Sequence, residues 1–175
     1  KMKKLYVVGN KLSKSLSPTI FNYWFKKYKI KASYGYLELS EKNFHKKIKE
    51  VLEKKDTLGL NVTIPFKKKI IKHLGKIDAH AKKIGAVNCV TNKKTINGTN
   101  TDWTGYYKTL PNIKKTKNRK VIILGYGGAS HAIHYVLKKR GFKDILIFNR
   151  SKKKIKYSKK TEYTKKYSDL ETHLE

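Results

Sequence analysis

The chain has 175 residues, 38% of them hydrophobic, which is enough to bury the core of one large domain or of two small ones. Its single cysteine, Cys89, excludes an internal disulfide and a multi-cysteine zinc site, so we expect no metal and a cytoplasmic location. The formal net charge of +31 rests on 43 basic residues, of which only three are arginine. Sites that recognise bases or phosphates by bidentate hydrogen bonds favour arginine over lysine. This charge therefore indicates a solvated lysine surface rather than a nucleic-acid site.

Apolar periodicity predicts alternating strands and helices from the start of the chain. Residues 5–9 form a short strand, whose apolar run is too short for a signal core or a membrane span. Ser17 as N-cap and Pro18 at the first helical position begin a helix that runs to about residue 29. The apolar face of this helix consists of Ile20, Phe21, Trp24 and Phe25.

The same alternation continues as far as residue 110. The predicted elements are a strand at 34–39, a helix with Phe44, Ile48, Val51 and Leu52 inward, a strand at 58–64, helical segments at 66–74 and 78–84, a hairpin at 88–97, and a helix at 102–110. This order favours a parallel α/β sheet. The polar stretch 112–120 resembles a linker, so we expect two domains, residues 1–110 and 111–175.

A strand, a glycine turn, a helix and a second strand follow between residues 121 and 150, an order typical of a dinucleotide site. Gly125 permits the tight turn, and Gly127 lets the backbone approach a pyrophosphate. Gly128 and Ala129 allow the helix to pack closely, and Ser130 completes the predicted cofactor-binding turn at the helix N-terminus. The alternative is an ordinary βαβ crossover whose glycines serve only packing.

The end of the second strand indicates which dinucleotide is bound. It reads Asn149, Arg150 and Ser151, with Lys154 one turn further on. An NAD site would place an acidic residue here, whereas Arg150 and Lys154 attract a 2′-phosphate. The sequence therefore predicts NADP as the cofactor, bound in part by these four residues.

Four polar clusters of the first domain lie where strands end or helices begin, the places where an open α/β sheet forms its ligand crevice. They are Ser15-Leu16-Ser17-Pro18, Asn61-Val62-Thr63-Ile64-Pro65-Phe66-Lys67, Gly85-Ala86-Val87-Asn88 and Asn100-Thr101-Asp102-Trp103. Each has a simpler interpretation as a turn, a helix cap or solvated surface. Together they offer hydroxyls, amides, an ammonium and a carboxylate, which suit a small polyhydroxylated acid.

These strings, in this order and followed by G-Y-G-G-A-S and N-R-S, resemble the shikimate dehydrogenase family over essentially the whole chain. The matching segments are residues 9–18, 61–67, 84–88 and 98–105. The resemblance implies an N-terminal α/β substrate-binding domain with a mostly parallel sheet, followed by an incomplete Rossmann-like NADP-binding domain. It also implies NADP-dependent reduction of 3-dehydroshikimate to shikimate, in chorismate and aromatic amino acid biosynthesis.

The resemblance also implies which residues form the site. The implied substrate-binding residues are Ser15, Ser17, Thr63, Lys67, Asn88 and Asp102. The two serines would bind the substrate carboxylate and the other four its ring oxygens, with Lys67 and Asp102 as the catalytic pair. Such a pair suits the chemistry, because removing hydride from an alcohol requires a group that takes up the hydroxyl proton. In the reverse direction, an ammonium group stabilises the developing alkoxide.

Some features depart from the family pattern. Tyr126 stands where the glycine turn usually has a small residue, so we expect its ring to point away from the pyrophosphate. His131 stands where arginine is common. The chain ends at Glu175, before the rest of the family's nucleotide domain and its C-terminal helix, so we expect a truncated protein.

Two alternative functions stay open at this point. One is a quinate/shikimate dehydrogenase that uses NAD, and the other is a basic nucleic-acid-binding module without catalysis. The expected partner is a small-molecule substrate, with no nucleic acid and no membrane, and the expected state is a monomer or homodimer.

Overall fold

A computed structural model describes residues 2–110, 119–155 and 162–173 of the chain. By internal packing the chain separates into two units, Lys1–Asn100 and Thr101–Glu175. The first unit contains β1 (Lys3–Gly9), α1 (Ser17–Lys27), β2 (Ala32–Glu38), α2 (Phe44–Leu52), β3 (Thr57–Val62), a 3₁₀ helix (Lys69–His73), β4 (Lys76–Ile77), α3 (Ala79–Ile84), β5 (Cys89–Asn92) and β6 (Ile96–Thr99). The second contains α4 (Asp102–Thr109), β7 (Val121–Leu124), α5 (Gly128–Lys139), β8 (Ile145–Phe148) and 3₁₀ helices at Tyr167–Asp169 and Glu171–His173.

The first unit is built on a six-stranded sheet with the order β2-β1-β3-β5-β6-β4. β1 is parallel to both β2 and β3, and β4 is parallel to β6. β5 is antiparallel to β3 and to β6, which confirms the predicted hairpin. The predicted mostly parallel α/β sheet is therefore confirmed. Because β1 and β3 are parallel, the loops that follow them lie at the same edge of the sheet, where a ligand crevice is expected.

The core of the first unit lies between this sheet and α2. The four apolar residues predicted to face inward from α2 are all buried, as the helical period requires. Phe44 is fully buried and stacks on Phe66, with ring centroids 4.1 Å apart. This stack fixes the segment that follows β3, which carries two of the predicted site residues.

Helix α1 differs from its prediction. Only two residues of the predicted apolar face, Phe21 and Phe25, pack against the sheet, beside the buried Tyr34. The prediction was wrong for Ile20 and Trp24, which are 42% and 45% exposed. The physical reason is that Ile20 and Trp24 each precede a ring of the buried pair by one position, and one position turns a side chain about 100° around the helix, away from the sheet.

The ends of the helices also differ from some expectations. The N-cap of α1 is Leu16 rather than Ser17, with no side-chain capping bond, and the helix ends at Lys27. The predicted helix at 66–74 is a turn followed by the 3₁₀ helix. By contrast, Asp78 caps α3 as an acid at a helix start should, because its carboxylate accepts hydrogen bonds from the His80 and Ala81 amides.

The second unit contains the predicted strand, turn, helix and strand. β7 and β8 pair in parallel and α5 lies between them in the chain. Helix α4 packs on α5 in this unit, where the Arg140 guanidinium lies 3.9 Å from the centre of the Tyr107 ring. The predicted boundary after residue 110 adjoins residues 111–118, which fall outside the described ranges together with most of the predicted linker. None of the helices in the described part of the chain has the length and apolarity that a membrane span requires.

Candidate substrate cleft and dinucleotide turn

A cleft of about 520 Å³ opens in the first unit where β1 and β3 end. The structure brings five of the six predicted substrate-binding residues to its walls: Ser15, Ser17, Thr63, Lys67 and Asn88. They come from three separate loops, so their convergence is a result of the sheet topology. The sixth residue, Asp102, is the first residue of α4 in the second unit.

The loop after β1 is held in place by hydrogen bonds from neighbouring segments. The buried Leu12 donates its backbone N–H to a carboxylate oxygen of Glu38 over 2.9 Å, and it also accepts from the Ser15 amide over 2.8 Å. The Tyr36 hydroxyl donates to the Ser15 carbonyl over 2.9 Å. These contacts from β2 fix the two serines at the edge of the cleft.

Backbone hydrogen bonds fix the opposite wall. The Thr63 amide donates to the Val8 carbonyl over 2.8 Å, and the Lys67 carbonyl accepts from the Val87 amide over 2.8 Å. The Asn88 carbonyl in turn accepts from the Val62 amide, again over 2.8 Å. Thr63, Lys67 and Asn88 are therefore attached to the sheet by their main chain, which leaves their side chains at the cleft.

The described residues that line the cleft carry ammonium, hydroxyl and amide groups and no carboxylate. Lys11 and Lys14 add two further cations beside the predicted residues. Side chains of this kind donate hydrogen bonds to oxygen and attract negative charge. The cleft is thus complementary to a small acid that bears several oxygen atoms.

Two residues at this site were absent from the predicted set. Asn61 lines the cleft from β3, and Tyr34 lies behind it with its hydroxyl donating to Asn61 Oδ1 over 2.6 Å. Burial raises the pKa of Tyr34 above its ordinary value, the nearby Cys89 adds to the rise, and a hydrogen bond with the Ser17 hydroxyl opposes it. An aromatic residue in a predicted strand is expected to be a core residue, so the sequence does not indicate that Tyr34 contacts Asn61.

The glycine turn of the second unit connects β7 to α5 and has exposed backbone at Gly127. Gly125 adopts a φ of +94°, which an L side chain rarely adopts, and its amide donates to the Phe148 carbonyl over 2.8 Å. A Cβ added to Gly127 would meet no atom within 4 Å, so open space lies in front of this backbone. Since α5 begins at Gly128, its N-terminal amides are placed to bind a phosphate.

Asn149 links the glycine turn to the segment after β8. Its Oδ1 accepts from the Tyr126 amide over 3.1 Å, and its Nδ2 donates to the Ser151 carbonyl over 2.7 Å. The side chain of this predicted cofactor-binding residue is therefore occupied by internal hydrogen bonds. Arg150, Ser151 and Lys154 are exposed, so their polar groups are accessible to a ligand.

The remaining residues of the turn lie on both sides of the helix start. Ala129 is exposed, and the Ser130 hydroxyl accepts a hydrogen bond from the Gly127 amide over 3.3 Å. Tyr126, which departs from the family pattern, is 2% exposed and its ring stacks on His131 at 4.3 Å. The tyrosine ring is therefore part of the core of the unit and does not lie on the surface of the turn.

Together, an α/β unit with a donor-lined cleft at its strand ends and a second unit with a glycine turn between a strand and a helix place the chain in the class of α/β proteins that contain a βαβ unit. Residues 7–90 match the family model described as the shikimate dehydrogenase substrate binding domain. The resemblance of this chain to shikimate dehydrogenase, inferred above from its motifs, is confirmed.

Individual relatives agree with this match. The chain is 39% identical over 161 residues to the shikimate dehydrogenase (NADP(+)) of Pelagibacter ubique, covering 87% of this chain and 58% of the relative. Among solved structures, shikimate dehydrogenase 1 from Peptoclostridium difficile matches with a TM-score of 0.81 and 31% identity, covering 97% of this chain and 63% of that one. The Thermus thermophilus enzyme in complex with NADP(H) and shikimate matches with a TM-score of 0.71 and 28% identity, covering 86% and 57%. The chain spans about half the length of the curated relatives it matches.

Proposed function

We propose that the protein is an NADP-dependent oxidoreductase that interconverts 3-dehydroshikimate and shikimate in chorismate and aromatic amino acid biosynthesis. The observation that carries the proposal is the convergence of Ser15, Ser17, Thr63, Lys67 and Asn88 on one cleft. That cleft lies in the part of the chain that matches the family model described as the shikimate dehydrogenase substrate binding domain. The names of the relatives and the ligands of the Thermus thermophilus structure agree with this activity.

In the proposed mechanism, the first unit binds and orients the substrate. Ser15 and Ser17 bind its carboxylate, and Thr63, Asn88 and Lys67 bind its ring oxygens. Asp102 contributes a further oxygen contact from α4. Lys67 and Asp102 exchange the proton of the reacting hydroxyl, and the Lys67 ammonium stabilises negative charge on that oxygen during reduction.

The second unit is proposed to hold NADP, which supplies or accepts the hydride. The open space at Gly127, the left-handed Gly125 and the amides at the start of α5 fit a pyrophosphate. The exposed cations of Arg150 and Lys154 fit a 2′-phosphate. The domains are proposed to be residues 1–110 for the substrate and residues 111–175 for a Rossmann-like NADP-binding part.

The location and assembly are further parts of this proposal. We place the protein in the cytoplasm as a monomer or homodimer without nucleic-acid or membrane partners. The free thiol of Cys89, the sole cysteine of the chain, supports a reducing compartment. The scarcity of arginine argues against base recognition.

The test is an activity assay of the full-length protein with shikimate or quinate as substrate and NADP⁺ or NAD⁺ as cofactor. The absorbance of the reduced cofactor measures turnover. We expect turnover with shikimate and NADP⁺. Preference for quinate or for NAD⁺ would favour the alternative dehydrogenase. Salt-dependent DNA binding without any turnover would favour the nucleic-acid-binding alternative.

A substitution at Lys67 tests the mechanism. Removing the ammonium in Lys67→Ala should lower turnover by about a hundredfold or more, because the proton transfer loses its donor and acceptor, while NADP⁺ affinity stays nearly unchanged. Lys82→Ala, which removes an exposed lysine of α3, is the matched control. Unchanged turnover in Lys67→Ala would remove this residue from the mechanism.

A further inference from the structure

The phenol of Tyr34 contacts a group of the substrate cleft without lining the cleft itself. The residue is 3% exposed, and its ring stacks on Phe21 with centroids 4.7 Å apart and planes 9° apart. Its hydroxyl donates to Asn61 Oδ1 over 2.6 Å. Asn61 lines the cleft, so a buried hydroxyl lies directly behind one of the cleft's polar groups.

The position of Tyr34 is fixed by more than its ring. Its strand, β2, is at the edge of the sheet, where backbone groups have no partner strand on one side. The Asn22 side chain of α1 bonds to both of these groups: Oδ1 accepts from the Tyr34 amide and Nδ2 donates to its carbonyl, each over 2.8 Å. Contacts therefore fix the main chain, the ring and the hydroxyl of Tyr34. They also fix the direction in which the hydroxyl points relative to the cleft.

The hydrogen bond to Asn61 determines which end of its carboxamide remains available. Burial raises the pKa of Tyr34, so the phenol stays protonated and has a proton to donate. Because Asn61 Oδ1 accepts that proton, the other end of the carboxamide is the NH₂ group, which only donates. Without the phenol, the two ends of the amide would exchange places at little cost.

We propose that Tyr34 is a positioning residue, which orients the Asn61 carboxamide so that its NH₂ group donates a hydrogen bond to an anionic oxygen of the ligand. The ligand class is a small carboxylic acid, and the inference rests on the proposed binding of shikimate in this cleft. Tyr34 thus acts through Asn61 and not by contact with the substrate.

Titration of the intact chain with shikimate, followed by NMR, tests this inference. Tyr34→Phe keeps the ring and its stack on Phe21 but removes the hydroxyl, so the dissociation constant should rise about tenfold. Asn61→Asp keeps the acceptor for Tyr34 but replaces the NH₂ donor, so it should weaken binding at least as much. Tyr23→Phe removes the hydroxyl of a tyrosine that is 60% exposed on α1 and is the matched control, with unchanged affinity.

The double variant separates positioning from a merely structural effect. If Tyr34 acts through Asn61, then Tyr34→Phe combined with Asn61→Asp should bind shikimate no more weakly than Asn61→Asp alone. Additive losses would overturn the inference. The side-chain NH₂ resonances of Asn61, assigned by their disappearance in Asn61→Asp, should shift when shikimate is added and should move or broaden in Tyr34→Phe.

The outcomes distinguish this inference from the proposed function. Wild-type affinity in a folded Tyr34→Phe overturns the role of Tyr34 and leaves shikimate binding intact. If Tyr34→Phe does not fold, wild-type affinity in Asn61→Asp overturns the inference in the same way. If the wild-type chain does not bind shikimate, the proposed function fails, and the inference that depends on it fails too.

Discussion

The first unit forms its candidate site from side chains, whereas the second unit forms its site mainly from backbone. In the first, hydroxyl, amide and ammonium groups from three loops meet at one cleft, and Lys67 of the cleft directly follows Phe66, which stacks on Phe44. In the second, the features that suit a phosphate are the φ of Gly125 and the amides at the start of α5. A side-chain site depends on the core that supports its loops, and a backbone site depends on the conformation of a few glycines.

The two units also differ in how much core supports them. The main cluster of the first unit spans the sheet, α2 and the segment after β3. The cluster of the second unit is smaller and includes Tyr126 of the glycine turn itself. The candidate site of the first unit therefore depends on a core that supports its loops, while in the second unit a residue of the turn is itself part of the core. The following predictions test this difference.

The largest expected effect is the loss of stability caused by a cavity in the core of the first unit. Phe44→Ala removes a fully buried ring and its stack on Phe66, so the free energy of unfolding of the first unit should fall by about 3–5 kcal/mol. Shikimate binding should weaken with it, because Phe66 fixes the segment before Lys67. Urea unfolding followed by circular dichroism measures the loss, and hydrogen exchange of β3 amides locates it. A loss below about 1 kcal/mol would contradict the supporting role given to this stack.

A smaller effect is expected for the cofactor preference of the second unit. Arg150→Gln removes an exposed cation after the end of β8, so NADPH affinity should fall about tenfold or more while NADH affinity stays nearly constant. Arg119→Gln makes the same charge change at another exposed arginine and should alter neither affinity. Fluorescence titration of each reduced cofactor gives the comparison. Equal losses for both cofactors would show that Arg150 does not read the 2′-phosphate.

A pair of glycine substitutions tests whether backbone alone forms the second site. Gly125→Ala forces an L side chain to a φ of +94°, which should lower the free energy of unfolding by about 1–2 kcal/mol. Gly127→Ala should leave stability unchanged, because its φ is −95° and its Cβ would meet no atom within 4 Å. The same methyl group should nevertheless weaken NADP⁺ binding, since it occupies the space in front of the turn. Stability and binding that change together in Gly127→Ala would argue against this separation.

The sequence predicts those features whose determinants are local. The inward face of α2 and the β5–β6 hairpin follow from helical period and strand pattern. Residues of three of the four polar clusters line the cleft, because the parallel strands β1 and β3 end at the same edge of the sheet. Local patterns do not specify which side of α1 meets the sheet, so the exposure of Ile20 and Trp24 was missed.

Contacts between distant segments are the features that the sequence does not predict. The bond between Tyr34 and Asn61 joins residues 27 apart, and it depends on the strand order that places β1 between β2 and β3. The hydrogen bond from the Tyr126 amide to the Asn149 side chain likewise depends on the pairing of β7 with β8, which brings the two residues together. In both cases the residue type was compatible with ligand binding, and only the tertiary structure shows its partner.

Acid conditions should produce the smallest effect, through one buried histidine of the second unit. His134 is 2% exposed, and burial lowers its pKa from 6.5 to about 4, with Lys138 adding to the shift and Glu162 opposing it. Between these pH values the unfolded chain binds a proton that the folded unit excludes, so stability is lost as pH falls. We expect a loss of about 1 kcal/mol, less than the shift alone implies, because the positive charge of the unfolded chain also lowers the pKa of its histidines. Urea unfolding at pH 7 and pH 5 measures this loss, which His134→Gln should abolish. Burial also lowers the pKa of His73, in the first unit, so His73→Gln is the matched variant. If the loss of stability between pH 7 and pH 5 disappears in His73→Gln and persists in His134→Gln, then the acid-sensitive histidine lies in the first unit.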